Sequence, residues 1–184
     1  MKRLTFFEPI FQELRIRKIL PYLSKGGVLV DVGCDQPQVL IDRVCEEMKE
    51  CIGLDIVVDP HTHGNVRILR QDLQKKIILP SNTANVITLL AVLEHMKHPA
   101  DIIRECFRVL KKGGVLLITV PSAQSKPLLE LFAILGFVRR EMIEQHENYF
   151  SHDKLHTICK DAGFKTVHVE SFELGCNTFI RAVK

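Results

Sequence analysis

Hydrophobic and polar residues follow two different spacings at the start of the chain, one typical of helices and one of strands. Between residues 8 and 23, apolar residues recur at roughly helical spacing, which predicts an amphipathic opening helix that ends near Pro21. Residues 26–33, GGVLVDVG, form a short apolar run after glycines, which is typical of a buried parallel strand. The chain therefore begins with a helix followed by a buried strand.

The same two patterns continue through the chain. Further strands are predicted at residues 51–57, 65–73, 84–93 and 114–122, and as a terminal hairpin within 165–183. Further helices are predicted at residues 38–50, 99–112 and 152–164. The hairpin turn is expected near Gly175. Strands thus alternate with helices until about residue 120, and two strands close the chain.

This order predicts the fold class α/β, as a Rossmann-like three-layer sandwich. The sheet is expected to have seven mostly parallel strands and a C-terminal antiparallel hairpin. The length of 184 residues fits one domain, 1–184, with the opening helix in 1–24. Residues 121–150 are the irregular stretch and are expected to be an insertion that covers the substrate. In such sheets the ligand binds beyond the carboxyl ends of the strands.

Composition and charge narrow the function classes. The formal net charge is +3 and the basic residues are scattered, whereas a nucleic-acid binder concentrates them on one face, so no nucleic-acid partner is expected. The six cysteines contain no CxxC pair, and a domain of this size needs no disulfides. No signal-peptide pattern opens the chain and no apolar run approaches ~20 residues, so we expect a cytoplasmic protein without a transmembrane segment.

Three acids, Asp31, Asp55 and Asp72, fall at or near the ends of the first three predicted strands. Asp55 lies 22 positions after Gly33, and an acid at about this spacing typically accepts hydrogen bonds from the ribose hydroxyls of an adenosine cofactor. The competing interpretations are a surface acid for Asp55 and a turn acid for Asp72. The chain has neither GxGxxG nor GxxxxGK[ST], so an adenosine cofactor without phosphates fits better than a dinucleotide or ATP.

Several stretches carry a family resemblance: LVDVGC at 29–34, IGLDI at 52–56, RQDL at 70–73, and the block from VLEHM to RVLKKGG at 92–114. Over residues 25–183 the chain resembles class I S-adenosylmethionine-dependent methyltransferases of the small-molecule group, which includes quinone-biosynthesis enzymes. The resemblance implies S-adenosylmethionine as cofactor and S-adenosylhomocysteine as product. The cofactor-binding residues that it implies are Asp31, Gly33, Cys34, Asp35, Asp55, Ile56, Asp72, Leu73, Leu90 and Ala91.

The resemblance also implies a role for most of these residues. The loop at Asp31 and Gly33 would face the methionine part, and Asp55 would take the ribose. Asp72 and Leu73 would border the adenine. The end of the fourth strand, Leu90 and Ala91, would face the sulfonium. The following pair, Glu94 and His95, more often orients the next helix in such enzymes than takes part in the chemistry.

The loop departs from the family pattern, which has glycine at the positions of residues 33, 35 and 37. Only Gly33 remains. Asp35 places a side chain where the backbone approaches the cofactor, although aspartate tolerates left-handed backbone and its carboxylate can pair with a cationic amino group. Pro37 suits the first turn of a helix. The alternative function is therefore a methyltransferase-fold binding or scaffold protein with a degenerate cofactor loop and no catalysis.

The expected reaction is methyl transfer to a small metabolite, at oxygen. An oxygen nucleophile usually needs a base, and His146 in EQHENYFSH is the candidate catalytic residue, against the alternative of a loop histidine. Residues 127–138, PLLELFAILGFV, contain one charge. They are open to interpretation as a lid over an apolar or lipid-linked acceptor, a homodimer or membrane-surface contact, or a buried helix. The HTHG stretch at 61–64 is expected to be a solvated loop, with no metal.

Overall fold

The computed structural model describes residues 8–74, 76–122 and 150–184. Its strands are β1 (Val28–Val32), β2 (Glu50–Asp55), β3 (His61–His63), β4 (Val66–Arg70), β5 (Ala84–Leu90), β6 (Leu110–Pro121), β7 (Thr166–Phe172) and β8 (Asn177–Val183). Its helices are α1 (Glu8–Ile19), α2 (Val39–Val44), α3 (Pro99–Val109) and α4 (His152–Asp161). Short 3-10 turns cover Leu20–Tyr22, Cys45–Glu47 and Leu93–His95.

The eight strands form one sheet in the order β3-β4-β2-β1-β5-β6-β8-β7. Neighbouring strands from β4 to β6 are parallel, whereas β3, and β8 against both of its neighbours, pair antiparallel. The chain runs outward from β1 through β2 to β4 and then returns to β5 on the other side of β1. Strand order therefore reverses at β1, and a ligand site is expected at the carboxyl ends of β1, β2 and β5.

Helices cover both faces of the sheet. On one face, Ile16 of α1 and Ile41 of α2 pack in an apolar cluster with strand residues such as Leu29. On the other face, Ile103 of α3 and Leu155 of α4 pack in a second cluster. β1 is buried along its whole length, Asp31 included, as its short apolar run predicted. This layering confirms the predicted three-layer α/β sandwich with a C-terminal antiparallel hairpin.

The sheet has eight strands, one more than predicted. The additional strand is β3, in the HTHG stretch that was expected to be a loop. All three of its residues are exposed, so no apolar alternation marked it in the sequence. It pairs antiparallel with β4 and places the two histidines on the edge of the sheet.

Two connections lack the helix that strict alternation would require. β3 occupies the connection between β2 and β4, and the described residues between β4 and β5 contain no helix. α3 also ends earlier than predicted, at Val109, because Leu110 already pairs with Ala84 of β5. The six cysteines are all free thiols. No helix in the described part of the chain is long and apolar enough to cross a membrane.

Candidate functional site

The loop after β1 turns sharply at Gly33. This residue has φ +82°, and its N–H donates to the carbonyl of Leu54 in β2 at 2.7 Å. A Cβ at this position would lie 2.3 Å from Cγ2 of Val92, which follows β5. Glycine is therefore required here both for the left-handed backbone and for the close packing of Val92 over the loop.

Asp35 keeps the backbone conformation that a glycine would adopt. Its φ is +52°, a region that aspartate enters more easily than most residues. Its N–H donates to Oδ2 of Asp55 at 3.1 Å, and the N–H of Val57 donates to Oδ1 of the same carboxylate at 3.1 Å. The loop after β1 and the end of β2 are thus tied together through the Asp55 carboxylate.

Asp31 lies beneath this loop with 4% of its surface exposed. Burial raises the pKa of its carboxyl group to about 6, the hydrogen bond from Thr88 opposes this shift, and the nearby charge of Asp55 adds to it. The hydroxyl of Thr88 donates to Oδ1 of Asp31 at 2.6 Å, and the two residues are paired in register between β1 and β5. A buried carboxylate is stable in such a place when a cation or hydrogen-bond donors face it.

Cys34 and Ile56 occupy opposite environments. The Cys34 side chain is buried, and a Cβ on Gly53 would lie 2.8 Å from its Sγ, so the thiol packs against the sheet. Burial raises the pKa of this thiol, which makes it a poor nucleophile. Ile56, directly after Asp55, is 57% exposed. Its apolar side chain is therefore open to solvent at the carboxyl end of β2.

Asp72 and Leu73 follow β4, which is separated from β1 by β2. Oδ1 of Asp72 accepts the N–H of Gln74 at 3.0 Å, and the Leu73 side chain is nearly buried. A cavity of about 370 Å³ opens beside Leu73 towards α3, with Met96 and Ile102 among its lining residues. Of the predicted cofactor residues, this cavity includes Leu73 alone.

Leu90 ends β5, and the chain reverses direction at Ala91. Ala91 has φ +56°, and its N–H donates to the carbonyl of Thr119 in β6 at 2.9 Å. This turn leads into the 3-10 turn Leu93–His95, so that Val92 reaches Gly33 and Glu94 enters the interior. Leu90 and Ala91 therefore directly precede Val92, which packs against the loop after β1. Their role towards the sulfonium stays a prediction.

The predicted residues fall into three groups. Those at the ends of β1, β2 and β5 lie on three neighbouring strands, whereas Asp72 and Leu73 follow β4, one strand further out. His146 lies outside the described residues, as does most of the predicted insertion 121–150, including the apolar stretch 127–138.

Pro37 does not lie in the first turn of the following helix, as was predicted. It precedes Gln38, which occupies the N-cap position of α2.

Sequence reasoning missed two residues that shape the site. Thr88 is a small polar residue within the apolar run of β5. A polar residue in a buried strand needs a hydrogen-bond partner, and this could have indicated its contact with Asp31. Val92 looked like any apolar residue, because its contact with Gly33 depends on the positive φ of Ala91. Among the residues that the structure describes, no group of three or more metal-ligating side chains is arranged to hold a metal ion.

A family model for the methyltransferase domain matches residues 9–169, which is most of the chain. The chain belongs to the methyltransferase domain family. This match confirms the predicted family, the class I S-adenosylmethionine-dependent methyltransferases, and with it the cofactor of the family. The assignment of individual residues to parts of that cofactor stays a prediction.

Curated relatives agree on the family and differ in the atom that they methylate. A ubiquinone biosynthesis O-methyltransferase from Aliivibrio fischeri is 27% identical over 143 residues, which is 71% of this chain and 60% of the relative. A ubiquinone/menaquinone biosynthesis C-methyltransferase from Pseudomonas fluorescens is 26% identical and matches 80% of this chain and 63% of its own. The chain thus spans about three fifths of the length of these relatives.

Solved structures share the fold. A SAM dependent methyltransferase from Archaeoglobus fulgidus superposes with a TM-score of 0.73 at 20% identity, covering 97% of this chain and 98% of the other. At this identity the likeness concerns the fold. It places the carboxyl edge described above in a sheet of the methyltransferase type.

Proposed function

We propose that this protein is an S-adenosylmethionine-dependent methyltransferase that acts on a small metabolite at oxygen. The observation that carries the proposal is the hydrogen bond from the N–H of Asp35 to Asp55. It shows that the substituted loop still adopts the turn that brings it against the acid at the end of β2. This contact supports the proposal that Asp55 takes the ribose while the loop faces the methionine part.

The residues around the loop fit the charge of the cofactor. S-adenosylmethionine carries an ammonium group and a sulfonium, and the loop presents the carboxyl groups of Asp31, Asp35 and Asp55. Asp31 is buried and accepts one hydrogen bond from Thr88, which leaves its carboxylate poorly compensated. We infer that the ammonium group supplies the missing positive charge. Asp35 would add a side-chain carboxylate where the family has glycine.

Each residue has a defined task in this proposal. When bound, the cofactor supplies an electrophilic methyl group on a sulfonium. Asp55 accepts the ribose hydroxyls with the lone pairs that its two backbone hydrogen bonds leave unused. Ile56 contacts the adenosine, and Asp72 and Leu73 border the adenine. Leu90 and Ala91 face the side from which the acceptor approaches, so much of the rate enhancement comes from positioning.

The acceptor is proposed to be a small metabolite, methylated at oxygen. The O-methyltransferase relative supports oxygen as the acceptor atom, and the C-methyltransferase relative supports carbon. Both relatives carry quinone-biosynthesis names, which supports an apolar or lipid-linked acceptor. His146 remains the proposed base or substrate contact from the sequence. A cytoplasmic location and a homodimer likewise remain proposals.

The substituted loop favours a second candidate, a binding or scaffold protein that has the fold without catalysis. Asp35 and Pro37 replace two of the three glycines of the family loop, and that is the observation in its favour. The two candidates differ in cofactor affinity and in turnover. A scaffold with a degenerate loop would bind neither S-adenosylmethionine nor S-adenosylhomocysteine and would transfer no methyl group.

Methyl transfer tests the proposal directly. The protein is incubated with S-adenosylmethionine labelled in the methyl group and a panel of phenols, catechols and carbon-acid analogues, and label is counted in the extracted product. We expect label on at least one hydroxyl acceptor, and much less label with the Asp55→Ala variant when the cofactor concentration is below saturation. Label found only on carbon would overturn the oxygen assignment. A complete absence of label with every acceptor favours the scaffold candidate.

A further inference from the structure

Two glutamates lie at the half of the carboxyl edge formed by β5, β6 and the β7–β8 turn. Glu94 follows β5 and is 1% exposed, and Glu173 follows β7 and is partly buried. Oε2 of Glu94 and Oε1 of Glu173 are both buried, and neither has a hydrogen-bond partner among the described residues. A buried carboxylate oxygen without a donor is costly, so each of these atoms needs a donor from elsewhere.

The positive charge of Arg15 in α1 acts on both glutamates. Burial raises the pKa of Glu94 to about 7, and the charge of Arg15 lowers it in part. Burial likewise raises the pKa of Glu173, and a hydrogen bond from Asn177 and the charge of Arg15 oppose this shift. One guanidinium thus acts on two carboxyl groups from different elements, both of which follow strands at the same half of the carboxyl edge.

The turn that carries Glu173 has a strained backbone, and part of the Glu173 carboxylate is buried in the protein. Glu173 and Leu174 both have positive φ, +53° and +55°, where a non-glycine residue costs ~1 kcal/mol or more. Nδ2 of Asn177 donates to Oε2 of Glu173, and the hydroxyl of Ser122 donates to the carbonyl of Gly175 at 2.5 Å. Leu174 is left fully exposed at the tip. The turn therefore exposes its apolar residue and keeps its charged one partly buried.

We propose that Glu94, Glu173 and Arg15 bind the hydroxyl groups of the methyl acceptor, and that Glu94 accepts the proton of the hydroxyl that is methylated, which leaves His146 the alternative role of a substrate contact. This inference rests on the proposed function. Two unsatisfied carboxylate oxygens call for two donors, and a neutral diol supplies both. The charge of Arg15 offsets one of the two carboxylates, and the other is neutralised when it accepts the hydroxyl proton.

The proton balance of the step is simple. The acceptor oxygen forms a bond to the methyl carbon, the carbon–sulfur bond breaks, and its electron pair stays on sulfur, which becomes a neutral thioether. The hydroxyl proton passes to Oε2 of Glu94. That proton later leaves to solvent, which restores the carboxylate. A group with a pKa near neutrality suits this role, because it takes and releases a proton at working pH.

The test uses the full chain saturated with S-adenosylhomocysteine and carrying ¹³C-labelled glutamate carboxyl groups. Catechol is the two-donor probe, and 1,2-dimethoxybenzene is the matched compound without donors. We expect millimolar catechol to shift the carboxyl resonances of Glu94 and Glu173, assigned through Glu94→Gln and Glu173→Gln, and 1,2-dimethoxybenzene to leave them unchanged. Either variant should weaken catechol binding at least about fivefold, whereas Glu46→Gln, on the exposed side of the protein, should not.

The experiment distinguishes a failure of the proposed function from a failure of the proposed acceptor site. If S-adenosylhomocysteine does not bind, the proposed function is wrong. If it binds and catechol moves neither resonance, or moves them no more than 1,2-dimethoxybenzene does, the acceptor site proposed here is overturned. Because glutamine has nearly the shape of glutamate, a change of S-adenosylhomocysteine affinity by less than about twofold in Glu94→Gln will show that the variant is folded.

Discussion

The backbone N–H of Asp35 donates a hydrogen bond to Oδ2 of Asp55, 3.1 Å away. Asp35 occupies a position where the methyltransferase family has glycine, and it reaches this contact with a φ of +52°. The substitution that raised most doubt about the loop is therefore compatible with the loop geometry. Replacing Asp35 by Gly or Ala tests whether its side chain helps or hinders ligand binding.

Asp55→Ala should weaken S-adenosylhomocysteine binding at least about tenfold, which corresponds to about 1.4 kcal/mol. The variant removes the acceptor of the ribose hydroxyls and also the acceptor for the N–H groups of Asp35 and Val57. Calorimetric titration measures the affinity, with Asp59→Ala as the control. Asp59 is an exposed acid that pairs with Arg70. Equal affinity in wild type and Asp55→Ala would remove the ribose assignment.

Asp35→Gly should stabilise the free protein by up to ~1 kcal/mol, because glycine adopts a positive φ without steric cost. Chemical denaturation measures this change. Cofactor affinity then separates two roles of Asp35. Unchanged or tighter binding means that its side chain is only tolerated, whereas a loss of about fivefold or more means that its carboxylate contacts the ligand. Asp35→Ala, which keeps Cβ but has no carboxylate, distinguishes backbone strain from charge.

Gly33→Ala should destabilise the protein far more than Gly113→Ala. Both glycines have similar positive φ, +82° and +77°, so both variants bear the cost of left-handed backbone. A Cβ at Gly33 meets Val92 at 2.3 Å, whereas one at Gly113 meets nothing within 4 Å. Overpacking of this kind costs about 1–3 kcal/mol, which is the expected difference between the variants in urea unfolding. Equal destabilisation of the two variants would show that Val92 moves away from the added methyl group with no loss of stability.

Asp31→Asn should stabilise the free protein above pH 6 and weaken cofactor binding. The raised pKa of Asp31 means that the folded state binds its proton more tightly than the unfolded state does. Wild-type stability from this group is therefore present below about pH 4 and is lost as pH rises through about 6. Asparagine avoids the buried charge and still accepts from Thr88, so a gain on the order of 1–3 kcal/mol is expected at pH 7–8.

The pH dependence provides the check. The difference in unfolding free energy between Asp31→Asn and wild type should shrink as pH falls from about 6 towards 4, where wild-type Asp31 becomes protonated. Asp161→Asn, at an exposed position, should show no such trend. A constant difference across this range would mean that Asp31 does not titrate there.

The sequence predicted what depends on periodic burial. The short apolar run of residues 28–32 predicted β1, and Asp55 lies at the end of β2, at or near the predicted strand end. β3 was not predicted, because its three residues are all exposed and show no alternation of apolar and polar positions. The unsatisfied carboxylates of Glu94 and Glu173 also escaped prediction. Both follow from turns with positive φ, at Ala91 and at Glu173. Neither alanine nor glutamate favours positive φ, so the sequence did not predict these turns.

Calorimetric titration of the protein with S-adenosylmethionine and S-adenosylhomocysteine tests the central claim most directly. The loop held against Asp55 should bind both compounds with one site per chain, and Asp55→Ala should lose at least about tenfold in affinity for each. The account predicts saturable binding in the micromolar range. Absence of binding to either compound at high micromolar concentration, with the protein folded, would contradict it and leave the scaffold function in its place.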